Sequence, residues 1–186
     1  MPRRRYIFDP PERFVAGTVG EPGDRAFFLQ AREGERVVSV ALEKAQVAVL
    51  AERLGALLDE LGRRGVPEVS LAPEETADIA PLDEPLVEAF RAGSLTLGWD
   101  GGAGVVLVEA RAVDEEGEPI DPDEDDDEDE DGPDLLRVRF SAGAARTFVL
   151  RAARVVASGR PPCPLCGNPL DPGGHICPRR NGHYVN

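Results

Sequence analysis

The chain has 186 residues, enough for one domain with a real core and a small appendage. No apolar run reaches the length of a membrane span, so no membrane role is expected. The net charge of −14 is uneven: residues 114–134 carry fifteen Asp and Glu and no Lys or Arg, and the rest of the chain sums to +1. The acidity therefore belongs to one insert and says little about the folded part. Arg3-Arg4-Arg5 leads into Tyr6-Ile7-Phe8-Asp9-Pro10 rather than an apolar stretch, so no signal peptide is expected. Three cysteines without a pairing pattern fit a reducing, cytoplasmic setting.

In chain order, residues 13–20, 25–32 and 36–42 read as three strands. The clusters Glu21-Pro22-Gly23-Asp24 and Glu33-Gly34-Glu35 separate them, which predicts antiparallel hairpins. Residues 43–64 read as a helix, with Val47, Leu50, Leu54, Leu57, Leu58 and Leu61 on one buried stripe, stopped by Gly65 and Pro67. Pro73, Pro81 and Pro85 break up residues 66–93; a short strand near Val69 and a short helix over Leu86 to Arg91 are expected there.

Strands then recur at 94–99, 105–113 and 135–140, with a turn at Asp100-Gly101-Gly102. Ser141 is an N-cap candidate, 142–158 reads as a helix, and Gly159 is its C′ residue. Three strands and a helix thus occur twice, which suggests a duplicated βββα unit. The fold class is α+β, an antiparallel sheet with two long helices. One domain spans 1–159, its acidic insert at 114–134 expected to be a disordered loop, and a zinc-binding tail spans 160–186.

That tail holds every cysteine and histidine of the chain: Cys163-Pro164-Leu165-Cys166-Gly167, then His175-Ile176-Cys177, then His183. Three thiolates and an imidazole suit tetrahedral Zn2+, and four ligands leave no open position for catalysis, so a structural zinc site on Cys163, Cys166, His175 and Cys177 is expected. His183 competes with His175 as fourth ligand. A tail of this size cannot hold itself by a core, so metal binding supplies much of its folding energy.

Outside the tail, His- and Cys-based catalysis has no residues. Gly101-Gly102-Ala103-Gly104 lies between two strands, not before a helix as a phosphate loop would. Lys44, the only lysine, falls at a strand-to-helix junction and reads as an exposed helix-start residue. Asp9, Glu43, Asp78 and Asp100 are too scattered to pair by sequence. The leading function is therefore a non-enzymatic adaptor that binds another protein, with Arg179, Arg180, His183 and Tyr184 as contacts. A nucleic-acid binder using Arg179 and Arg180 with Arg160, His183 and Tyr184 is the second reading, opposed by the sequence pI of about 4.6. An enzyme on a phosphorylated substrate is the third.

The stretches 14–20, 40–47 and 159–167, with Gly174-His175-Ile176-Cys177-Pro178-Arg179, resemble a family of uncharacterised actinobacterial proteins grouped as a domain of unknown function. The resemblance spans nearly the whole chain except the acidic run. It implies a bacterial cytosolic protein encoded beside a phosphoinositide-kinase-like and a phosphomutase-like protein, and it implies no reaction.

Overall fold

The computed structural model describes residues 3–70, 78–114, 116–119, 132–159, 163–168, 170 and 177. Among them the chain runs β1 (Arg5–Phe8), β2 (Arg13–Val19), β3 (Ala26–Glu33), β4 (Arg36–Leu42), α1 (Lys44–Arg63), α2 (Pro67–Ser70), β5 (Glu88–Asp100), β6 (Val105–Ala112), β7 (Leu135–Phe140) and α3 (Ala142–Ala157). No described helix is long and apolar enough to cross a membrane.

The strands form one sheet in the order β1-β7-β6-β5-β4-β3-β2. Two antiparallel meanders, β2-β3-β4 and β5-β6-β7, lie side by side. The fold class is α+β as expected, but the sheet is mixed rather than purely antiparallel. β4 pairs with β5 in parallel, because α1 carries the chain back to the end from which β4 set out. β1, which local patterning did not suggest, adds parallel to β7. Four residues are too few for alternation to show.

Two local expectations are corrected. The segment at Val69 is helical, not extended: Pro67 opens α2, and Val69 and Ser70 donate their N–H groups to Val66 O. The segment at Leu86 to Arg91 supplies the start of β5, not a helix, because Glu88, Phe90 and Arg91 pair with Ser39, Val40 and Ala41 of β4. Tertiary pairing overrides the local pattern there.

Alternate side chains of the strands face one core. Phe14, Leu29, Val40, Val106, Val108 and Val138 meet Leu50 and Leu54 of α1 and Phe148 of α3. The sheet curls until its ends approach. The Phe14 ring stacks on Phe148 at 4.9 Å and meets Phe140 of β7 edge-on at 5.2 Å. Arg36 of β4 lies 4.4 Å over the Phe8 ring and donates to Ile7 O. Ser141 caps α3 by accepting from Ala144 N at 3.2 Å, and Glu43 N donates to Gln46 Oε1 at the head of α1.

The outer face of β2-β3-β4 is covered by residues 78–85. Leu82 lies where a Cβ on Gly17 would stand, only 2.5 Å from its Cδ2. Gln30 binds Asp83 through both its backbone groups, accepting from the N–H at 2.7 Å and donating to the carbonyl at 3.0 Å. Arg151 of α3 reaches round the edge of β2 and donates to Ala16 O, Asp78 O, Asp78 Oδ1 and Ala80 O, at 2.7 to 2.9 Å. Arg13 donates to both Asp78 oxygens and to Asp83 Oδ2. The hydrogen bond from Arg13 holds the Asp78 carboxyl below its ordinary value, and the same bond raises Arg13.

Both the packing and the charge of this lock are open to test. Gly17→Ala should cost about 1–3 kcal/mol, because the new methyl evicts Leu82; a denaturant midpoint unchanged from wild type would refute the packing. Asp78, with a lowered folded-state pKa, contributes stability above its unfolded value that is lost as pH falls through the folded one. Melting temperature should therefore drop more steeply below about pH 4 in the native chain than in Asp78→Asn. Parallel acid profiles would remove Asp78 from the account.

Candidate metal centre

The tail departs from the end of α3, where two cations lie beside the last turn. Arg25, from the β2-β3 turn, donates to Ser158 O at 2.8 Å and Ser158 Oγ at 3.1 Å. The Lys44 ammonium lies 3.2 Å from where a Gly159 Cβ would stand. Positive charge at a helix C-terminus is favourable, so the sole lysine takes a place in the scaffold at the root of the tail.

Residues 163–168 then make one knuckle. Gly167 N donates to Cys163 O at 2.8 Å and Cys163 N to Asn168 O at 2.7 Å. Gly167 has φ +77°, the left-handed conformation that glycine adopts without a steric penalty. The turn brings the Cys163 and Cys166 sulfurs to one side, and Cys177 joins them. The three Sγ atoms lie within 4.8 Å of one another.

Cys163 and Cys177 are buried, with their sulfurs 4.0 Å apart. That is about twice the length of an S–S bond, and none of the three cysteines is in a disulfide. Thiolates about 2.3 Å from a tetrahedral ion stand roughly 3.8 Å apart, so the spacing fits a shared metal. Three cysteines thus lie close enough to hold one ion.

The N–H groups of Cys166 and Leu165 point at the Cys163 sulfur and hold its pKa below the ordinary thiol value. At Cys166 the Asn168 N–H acts in the same direction. Burial and the two neighbouring thiols outweigh it and push the group up. The turn itself thus favours the thiolate form at Cys163, and a cation would favour it at Cys166. His175 lies outside the described residues, as do Arg160, Arg179, Arg180, His183 and Tyr184.

The carboxylates that sequence left scattered do not gather with one another. Each meets arginine instead: Asp78 meets Arg13 and Arg151, Asp9 and Asp100 both meet Arg139, and Glu43 meets Arg91. Asp100 also accepts from Gly102 N and Ala103 N, so the glycine-rich 101–104 stretch is a carboxylate-capped hairpin turn. Sequence reasoning missed a buried centre on the outer sheet face, where Glu109 bridges Arg111 and Arg137. Its signal was the charged positions of β6 and β7 alternating with Val106, Val108 and Val138, which reads equally well as a solvated face.

No curated protein and no solved structure matches the chain. A family profile described as "Protein of unknown function (DUF3090)" matches residues 6–177, from β1 to the last cysteine of the cluster. With nearly the whole fold and all three clustered thiols inside that match, the chain belongs to the DUF3090 family.

Proposed function

We propose that this protein is a cytoplasmic, non-enzymatic binding module whose tail is held by one structural Zn2+ on Cys163, Cys166, His175 and Cys177, and that it works by contacting another protein. The observation that carries the reading is the gathering of three cysteine sulfurs within 4.8 Å of one another at a glycine-closed knuckle. Thiolates are soft ligands that favour zinc in a tetrahedron, and His175, two residues before Cys177, completes the set. A closed four-ligand site has no position for a substrate or a reactive water. The pairing of Asp9, Asp78 and Asp100 with arginines also supports a scaffold role.

The metal orders the tail before any partner arrives, so binding there loses little conformational entropy. Arg179, Arg180, His183 and Tyr184 come after the last cysteine, and Arg and Tyr are residue types that often dominate interface energy.

Metal analysis of the purified protein should find one zinc per chain. His175→Ala should lower retention against a chelator more than His183→Ala. A metal-free protein whose three thiols all titrate freely would overturn the site. Affinity capture from native cytosol should recover a protein partner with the intact chain and lose it with a chain ending at Gly159. Equal recovery by both would reduce the tail to a staple, and co-purifying nucleic acid in place of protein would favour the nucleic-acid reading.

A further inference from the structure

The sheet ends at β2 on one side and at β1 on the other, and the chain itself covers a carbonyl at each end. Arg151 donates to Ala16 O of β2 at 2.7 Å, and Arg36 donates to Ile7 O of β1 at 3.0 Å. A third edge lies within the strand order. β5 runs on to Asp100, but its parallel partner β4 ends at Leu42 and pairs with it no further than Arg91. From Ser94 to Asp100, β5 is therefore paired on one side only, with β6. In an antiparallel pair, successive residues turn their N–H and C=O groups alternately toward the partner strand and away from it. Alternate backbone groups of this stretch thus face outward. Among the described residues only Gln46 meets that side, donating to Ala92 O at 3.2 Å and Gly93 O at 3.4 Å, and nothing bonds to it beyond Gly93.

A cleft of about 590 Å³ opens on this stretch. Leu95, Thr96 and Leu97 all line it. Successive residues point to opposite faces of a strand, so the cleft follows the edge rather than either face. Its other wall is α1, where Val49 is 47% exposed. An open edge beside an apolar wall takes an extended backbone. The occupant must continue two rows of side chains. Leu95, Leu97 and Trp99 pack toward the core, and Ser94, Thr96 and Gly98 lie on the other face. β5 itself has that pattern: Ser94-Leu95-Thr96-Leu97-Gly98-Trp99 alternates apolar with small residues and carries no charge. It also lacks the lysine, proline or inward charge by which monomeric proteins guard an edge. Two identical strands paired antiparallel are self-complementary about a twofold axis. That pairing brings the hairpin turn of one copy beside Gly93 of the other, where β4 has ended. The turn, Gly101-Gly102-Ala103-Gly104, has no side chain larger than a methyl, so it suits a narrow notch.

We propose that the Ser94–Asp100 edge of β5 pairs antiparallel with the same edge of a second copy of this chain, joining two seven-stranded sheets into one, with Val49 of each α1 along the seam. Main-chain hydrogen bonds across the seam satisfy the outward groups of both strands, and the apolar row of each copy continues that of the other. The surface is separate from the tail and does not depend on the metal reading.

Sedimentation of the full-length protein over a concentration series should show a species of twice the 20.0 kDa chain mass. Hydrogen exchange read by mass spectrometry should be slower over residues 94–99 in that species than in protein diluted to the monomer. Val49→Glu sets a charge in the seam from a half-exposed helix position, and should weaken dimerisation about tenfold or more. Leu150→Glu, at a 51% exposed site on α3, should dimerise as wild type. A monomer at every concentration up to about 0.1 mM, with residues 94–99 exchanging freely, overturns the proposal and leaves the edge to a foreign strand. A monomer in which those amides are protected names another segment of the chain itself as occupant, and overturns it as well. A dimer that survives Val49→Glu unweakened, or that shows no protection over residues 94–99, places the contact elsewhere and overturns the assignment to this edge.

Discussion

One guanidinium holds the first unit together. Arg151 is only 7% exposed, and it ties α3 to the edge carbonyl of β2 and to a segment from the far side of the sheet. Burial pulls its pKa down, so the fold gives up solvation to keep a charge there. Asp78 answers that charge and is shared with Arg13. A buried ion pair seldom adds much stability over an apolar isostere, but losing one member leaves the other uncompensated. The network therefore acts as a specification: residues 78–85 have one place to lie, and β5 begins from where they end.

The same construction explains why the fold is lopsided. Gly17 and Gly98, and Gln30 and Glu109, hold matching register positions in the two meanders, yet among the described residues Leu82 lies over Gly17 and nothing lies within 4 Å of a Cβ on Gly98. Gln30 can both donate to and accept from a peptide backbone, and it uses both capacities on Asp83. Glu109 can only accept, and arginines from its own and the neighbouring strand hold it. The two meanders thus share a register and differ in charge at matching positions.

Much of this was legible in the sequence because it is periodic. Leu50, Leu54 and Leu58 mark the buried stripe of α1, and Val106 and Val108 alternate into the core, so local spacing reports burial directly. The direction of strand pairing was not legible, because it is set by the helix crossover between β4 and β5 rather than by either strand. Nor was the seat of residues 78–85: Gly17 looks like an interruption in a strand until register places it opposite Phe28, under Leu82. The cysteines are the opposite case. Cys163 and Cys166 are tied by a two-residue spacer, and the expected approach of Cys177 is what the structure supplies.

The central claim is that the tail is a closed metal knuckle rather than a reactive centre. X-ray absorption at the zinc edge of the purified full-length protein tests it most directly. The account predicts a first shell of three sulfurs at about 2.3 Å and one nitrogen at about 2.0–2.1 Å, with no oxygen. An absent zinc edge, or a shell containing a water oxygen in place of the nitrogen, would contradict it.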